Sequence, residues 1–204
     1  MRSAATTERR SDRLRLYNLV MGGLHAIQAV AVLVLANDFT LPVTGTFLTD
    51  APGINPPEVS TIFELRIAWG VAAFLFLSAA AHWIIAAPGV YGWYRANLDR
   101  NRNYARWIEY SLSASLMVVL IAILPGSGDI AALIALFGVN AAMILFGLLQ
   151  EHYEQPGRPG LLPFWFGSIA GAVPWIAIGV YLWAPGVDAT TPGFVYGIFF
   201  SLFV

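Results

Sequence analysis

Five long apolar segments determine what this chain can fold into. They occupy residues 16–36, 62–87, 105–124, 130–150 and 161–183. A helix needs about 20 apolar residues to cross the roughly 30 Å hydrocarbon core of a bilayer. Because the backbone finds no water there, a crossing segment must be a helix or a strand of a closed barrel. The lengths favour helices, so we predict an all-α, polytopic membrane helix bundle.

The composition agrees with this class of protein. Of the 204 residues, 58% are apolar and only 11% are charged, whereas about a quarter of the residues in an average soluble domain are charged. The net charge of −1 gives no indication of a nucleic-acid partner, and the sequence has no cysteine to form disulfides or thiolate metal sites. We expect the lipid bilayer as its surroundings, a location in the cell membrane, and no metal.

We predict two regions along the chain. Residues 1–15 are polar and arginine-rich and lack the apolar core of a signal peptide, so we expect a disordered or surface arm. Residues 16–204 form the transmembrane domain. Within it, residues 38–60 form a long extracellular loop, in which the alternating segment 39–48 favours a small β-hairpin. Residues 90–94 carry three aromatic side chains, which is typical of an interfacial aromatic belt.

The arginines indicate the orientation. On one side lie the N-terminal arm, the connection between the second and third spans, and the connection between the fourth and fifth. These carry Arg2, Arg9, Arg10, Arg13, Arg15, Arg95, Arg100, Arg102, Arg106 and Arg158. The other side is acidic, with Asp38, Asp50, Glu58, Asp129 and Asp188, and has only Arg66 near it. The basic excess marks the cytoplasmic side, so we predict a cytoplasmic N-terminus.

A sixth apolar segment occupies residues 193–204. Twelve helical residues span about 18 Å, which is less than the hydrocarbon thickness. A helix that ended there would leave carbonyl groups and a carboxylate in lipid. We therefore expect the sequence to be incomplete and the native protein to continue past Val204.

Three titratable side chains lie within the predicted spans, namely His25, His82 and Glu109. Counted by helical rise from the nearest arginines, all three belong to the cytoplasmic half of the membrane. Ser78 and Ser113 lie one helical turn from His82 and Glu109, on the same helix faces. We predict that these five residues form one buried polar cluster.

Glu109 needs a partner, because a carboxylate in mid-membrane costs about 2.5–3.5 kcal/mol. All eleven basic residues are arginines, and lysine is absent. The cation must therefore be an arginine, a protonated histidine, a ligand, or a group beyond Val204. One interpretation is an interfacial ion pair with Arg106 or Arg102. The histidines, in turn, could do no more than satisfy interhelical hydrogen bonds.

Two further positions bear on helix contacts. Asn140 is a lone amide in an apolar run, and either an interhelical hydrogen bond or a pocket contact would explain it. Gly167 and Gly171 are four residues apart and predict a close approach of the fifth span to a neighbouring helix.

Several blocks of the chain resemble the heliorhodopsins, seven-helix retinal proteins with a cytoplasmic N-terminus. The blocks are ANDF at 36–39, RWIEYSLSAS at 106–115, FGVNAAMILFG at 137–147, PFWFG at 163–167 and PGFVYGI at 192–198. The resemblance extends from about residue 17 to residue 204. It implies a light-sensing photoreceptor with a slow photocycle, which in most members does not pump ions and which forms homodimers.

The resemblance also assigns roles to residues. Glu109 would be the counterion of the protonated retinal Schiff base, and His25, His82, Ser78 and Ser113 would form the polar cluster on its cytoplasmic side. Six further residues would line the chromophore pocket: Tyr110, Asn140, Met143, Trp165, Phe199 and Phe200.

This chain departs from the family pattern in one respect. Heliorhodopsins attach retinal to a lysine of the seventh helix, and here both that helix and every lysine are missing. We therefore expect a fragment that lacks the Schiff-base lysine, and no enzyme activity. The alternatives are a six-helix protein without a chromophore, a small proton channel or transporter that uses Glu109 and the histidines, and a chromophore-free membrane scaffold.

Overall fold

The computed structural model describes residues 2–154, 160–183 and 192–201, with side chains from residue 12 onward. This part of the chain forms seven helices and a two-stranded sheet. In chain order they are α1 (Arg2–Leu35), β1 (Thr40–Phe47), β2 (Glu58–Arg66), α2 (Ile67–Ala86), α3 (Pro88–Leu98), α4 (Tyr104–Ile123), α5 (Ile130–Tyr153), α6 (Leu162–Trp183) and α7 (Gly193–Ser201).

The helices confirm the predicted membrane bundle. Helices α1, α2, α4, α5 and α6 are long and apolar enough to cross a bilayer. The partial sixth span corresponds to α7, although its last residues, 202–204, lie outside the described residues. Arg158 and Asp188, which entered the prediction of orientation, also lie outside them.

Helix α4 is the centre of the bundle. Helix α1 packs on α2, α2 on α4, α4 on α5, and α5 on α6. From Ser111 to Ile123, α4 has more buried side chains than any other span. The remaining spans expose many large apolar side chains, which is the arrangement expected where the surroundings are lipid. The buried side chains of α4 between Ser111 and Ile123 are therefore enclosed by neighbouring helices.

Glycines permit the close approach of α6 to α5, as predicted. A Cβ added at Gly171 would lie 3.0 Å from the Cγ of Met143, and one at Gly167 would lie 3.1 Å from the Cβ of Phe146. Helix α5 approaches α4 in the same way, because a Cβ at Gly147 would lie 2.5 Å from the ring of Trp107. Glycine at these crossings leaves room for side chains of the neighbouring helix, so the helices can lie close together.

A β-hairpin is present, but the prediction of its position was wrong. Strand β1 takes up nearly all of the predicted hairpin and pairs with β2, from Thr40 opposite Arg66 to Phe47 opposite Glu58. The middle of the predicted hairpin, Thr44 and Gly45, lies inside β1, beside a register shift between Val43 and Thr44. Residues 62–66, assigned to the second span, belong to β2 because their backbone groups bond to β1.

The hairpin is docked onto the outer end of the bundle. The backbone N–H of Thr44 donates to the carbonyl of Gly128 at 2.8 Å, in the turn between α4 and α5. Val43, only 1% exposed, joins a core formed by the outer ends of α4, α5, α6 and α7. A Cβ at Gly128 would lie 2.8 Å from the carbonyl oxygen of Pro42, so this contact requires glycine.

The N-terminal arm and the aromatic segment are both helical. Helix α1 begins at Arg2, so the predicted arm is continuous with the first span, and its residues Asp12 and Arg13 are exposed. The guanidinium of Arg15 donates to the carbonyl of Ala86 at 2.9 Å and lies over the ring of Tyr91, which ties α1 to the end of α2. The predicted aromatic belt is helix α3. Trp93 is exposed as a belt residue should be, whereas Tyr94 is 7% exposed and faces the protein interior.

Candidate functional site

A cavity of about 510 Å³ lies between α1, α2 and α4, on the side assigned to the cytoplasm. We call it the Glu109 chamber. It is lined by the five residues of the predicted polar cluster: His25, Ser78, His82, Glu109 and Ser113. Each of these three helices contributes residues to it. His82 lies one turn from Ser78 on α2, and Ser113 lies one turn from Glu109 on α4. The structure thus brings together the residues that the sequence placed at one depth.

Glu109 is half-buried, and its closest polar partner is a hydroxyl. Ser78 donates to Oε1 of Glu109 at 2.8 Å, across the contact between α2 and α4. The ion pairs among the described residues join Arg66 to Asp38 and Arg106 to Glu151, so neither satisfies Glu109. The Ser78 hydroxyl is neutral, so it gives Glu109 a hydrogen-bond donor but no opposite charge.

The arginines proposed as partners of Glu109 are engaged elsewhere. Arg106 lies 3.7 Å from Oε1 of Glu151 and over the ring of Trp107. The other carboxylate oxygen of Glu151 accepts from the indole N–H of Trp107 at 2.6 Å and from the backbone N–H of Asn103 at 2.8 Å. Arg102 donates to the carbonyl of His152. The interpretation that Glu109 forms an interfacial ion pair with Arg106 or Arg102 is therefore wrong.

A buried amide orients His82. Asn18 donates through Nδ2 to the carbonyl of Leu14 at 2.9 Å, so its Oδ1 faces His82 Nδ1 at 2.8 Å. Since Oδ1 can only accept, Nδ1 of His82 carries the proton of that bond. The neutral ring then keeps Nε2 as a proton acceptor.

His25 joins the same cluster from α1. Its ring stacks on that of His82 with centroids 5.6 Å apart and an interplanar angle of 18°. Nδ1 of His25 contacts Oε1 of Gln28 at 3.1 Å, one turn along α1. The two imidazoles are therefore in face-to-face contact across the boundary between α1 and α2.

At the end assigned to the cytoplasm, the chamber is also lined by Tyr94 of α3 and by Asn103, which precedes α4. Burial raises the pKa of the Tyr94 phenol, so this group stays protonated at neutral pH. The side chain of Asn103 also caps α4 by accepting from the N–H of Arg106 at 3.2 Å. The helix that carries Glu109 therefore begins at the rim of the chamber.

A family model for heliorhodopsins matches residues 14–204. The chain belongs to the heliorhodopsin family. It is a multi-pass membrane protein of the rhodopsin type, in a family that uses retinal as its cofactor. No curated protein matches the chain.

Of the six residues that the family resemblance assigns to the chromophore pocket of this heliorhodopsin, only Tyr110 lines the Glu109 chamber. Asn140 of α5 is buried and donates to the hydroxyl of Ser115 on α4 at 3.1 Å. Its amide therefore forms an interhelical hydrogen bond, which is one of the two predicted explanations. Met143 packs on Gly171. The remaining three lie elsewhere: Phe199 is buried among Trp175 and Trp183, while Trp165 and Phe200 are exposed.

Sequence reasoning missed several residues of this heliorhodopsin site. Asn18 lies seven residues before His25, and hence two turns along the same face of α1, which is a signal that the sequence does contain. Tyr94 was assigned to the membrane interface because its neighbours Tyr91 and Trp93 are aromatic. The role of Glu151 gave no local signal, because its partners are more than forty residues away along the chain.

The described residues of this heliorhodopsin fit retinal in charge but not in attachment. A protonated imine needs an anion nearby, and Glu109 presents a carboxylate, held by one hydroxyl, at the wall of the chamber. An imine to the protein also needs a primary amine on a side chain, and the 204 residues contain no lysine. The covalent linkage is thus not available to this chain by itself.

Proposed function

We propose that this chain forms the counterion side of a light-sensing, retinal-binding photoreceptor that does not pump ions. The observation that carries the proposal is the state of Glu109. It is the acid of the spanning helices that faces the chamber, and its polar contact is a neutral hydroxyl from Ser78. A carboxylate in low dielectric is strongly favoured when a cation faces it. Retinal bound as a protonated imine supplies such a cation and absorbs visible light.

The residues around Glu109 have distinct roles in this proposal. Ser78 fixes the position of one carboxylate oxygen. His82, oriented by Asn18, offers Nε2 as a proton acceptor within the same cavity. An imidazole can accept a proton at that nitrogen and release it again. The output is a conformational change and not turnover, so we expect a receptor and not an enzyme, and, as in the family, a homodimer.

The experiment uses the chain supplied with a lysine-bearing helix and loaded with retinal in a lipid bilayer. We expect a visible absorption band, and we expect Glu109→Gln to move or abolish it because the cation loses its opposite charge. Glu58→Gln is the matched control, since Glu58 lies exposed on β2. No visible band in the parent protein would refute retinal binding. A band that Glu109→Gln leaves unmoved would refute only the counterion role.

A further inference from the structure

A second cavity, of about 290 Å³, adjoins the Glu109 chamber between α2, α3 and α4. We call it the lateral groove. Ala81, Ile85, Ala105 and Glu109 line both cavities. The rest of the groove is apolar and is formed by Leu77, Ala80, Ile84, Val90, Trp93, Ile108 and Leu112. Its wall therefore separates the polar cluster from whatever occupies the groove.

The groove is open to the surroundings of the bundle. Ile84 is 58% exposed and Ile108 is 53% exposed, and both belong to helices long enough to cross a membrane. Trp93 lies at the end assigned to the cytoplasm, on the short helix α3. Indole rings prefer the membrane interface. An apolar groove that begins there and runs into the hydrocarbon has the shape and chemistry for one acyl chain.

The part of the chain near the Trp93 end of the lateral groove is rich in arginine. Residues 95–106 contain Arg95, Arg100, Arg102 and Arg106 against a single acid, Asp99. Arg102 and Arg106 contact the end of α5. Arg100 is exposed in the turn between Trp93 and Ala105, both of which line the groove. A headgroup above the groove would meet positive charge, which favours an anionic lipid.

A second copy of this chain suits the groove less well. Two copies related by a two-fold axis would bring the same surface together. The arginine-rich segments would then face each other, and their repulsion opposes such a contact. Lipid chains carry no such penalty.

We propose that the lateral groove binds one acyl chain of an anionic phospholipid, whose headgroup lies against Arg100. The occupant would contact the same wall that holds Glu109. The lipid would thereby shield the polar cluster from the bilayer at the contact between α2 and α4.

The test measures quenching of Trp93 by phospholipids with brominated acyl chains, in nanodiscs that contain the purified chain. Its signal is the difference between the parent protein and Trp93→Phe. We expect brominated phosphatidylglycerol to reach half-quenching at a mole fraction about fivefold lower than brominated phosphatidylcholine, which is the effect of roughly one basic residue near the surface. Arg100→Gln should remove this preference, whereas the exposed Arg13→Gln on α1 should keep it.

A second pair of variants tests the groove itself. Ala80→Phe fills it and should remove the preference for brominated phosphatidylglycerol, because Trp93, which is 47% exposed, is then quenched only by the surrounding lipid. Ala73→Phe introduces the same ring on an exposed position of α2 that does not line the groove, and should leave quenching intact. Circular dichroism establishes that each variant is folded.

Three results would overturn the proposal. Equal quenching by the two lipids would indicate ordinary surrounding lipid without a site. An unchanged preference for brominated phosphatidylglycerol in Ala80→Phe would place the lipid site outside the groove. Trp93 protected from both lipids in a cross-linkable dimer would assign the groove to a second copy of the chain.

Discussion

At the scale of single residues, the cluster is organised by hydrogen bonds between helices. Ser78 of α2 donates to Glu109 of α4, and Asn18 of α1 accepts from His82 of α2. Each bond joins two spans and also fixes the orientation of an ionisable side chain. A polar group in a membrane interior is costly when it has no partner. Stability and the geometry of the site are therefore expected to change together.

Replacing Ser78 by Ala should lower the free energy of unfolding by about 1–2 kcal/mol, because the carboxylate of Glu109 loses its hydrogen-bond donor. Ser168→Ala is the matched control, since the Ser168 hydroxyl bonds only to the carbonyl of Phe164 on an exposed face of its own helix. Unfolding by increasing denaturing detergent measures both variants. Equal losses in the two would show that the bond between Ser78 and Glu109 contributes nothing specific.

At the scale of helices and strands, hydropathy identified the spans because each apolar run is close to the bilayer thickness in length. It could not place the boundary between β2 and α2. Residues 62–66 include Ile62, Phe63 and Leu65, and such a short apolar run is compatible with either a strand or a helix. Residues 62–66 form a strand because β2 pairs with β1. The sequence of one strand alone does not reveal the register of that pairing.

Gly128→Ala tests the docking of the hairpin. The added methyl group would meet the carbonyl oxygen of Pro42 at 2.8 Å, so the hairpin must shift and weaken the bond from Thr44 to the Gly128 carbonyl. Hydrogen exchange at the Thr44 amide should accelerate roughly tenfold, because local opening becomes easier. Gly138→Ala is the control, since nothing lies within 4 Å of a Cβ at Gly138. Unchanged exchange in Gly128→Ala would contradict the observed contact.

At the scale of the whole molecule, the apolar runs and a few polar residues predicted much of the architecture. The five residues of the predicted cluster do line one chamber, because their depth follows from helical rise alone. What the sequence could not provide is the pairing of distant residues. Arg106 lies three residues from Glu109, yet it faces Glu151 of α5. That choice depends on how α4 and α5 rotate against each other, which packing of Trp107 on Gly147 determines.

The orientation of the chain can be tested directly, because the sequence has no cysteine. Thr49 is exposed between the two strands, and Asp99 is exposed after α3. Each can be replaced by cysteine, as Thr49→Cys and Asp99→Cys. A membrane-impermeant maleimide added to intact cells should label Thr49→Cys and leave Asp99→Cys unlabelled until the cells are opened. The reverse pattern would show that the N-terminus is outside.

Strand β2 ends at Arg66 and helix α2 begins at the next residue, Ile67. No loop lies between them to provide slack. A sliding motion of α2 along its axis, at the level of Ser78 and His82, would therefore be transmitted to the outer surface of the protein. The hairpin must either move with α2 or break its contact with the turn at Gly128, so a rearrangement deep in the bundle would change the face of the protein that carries the hairpin.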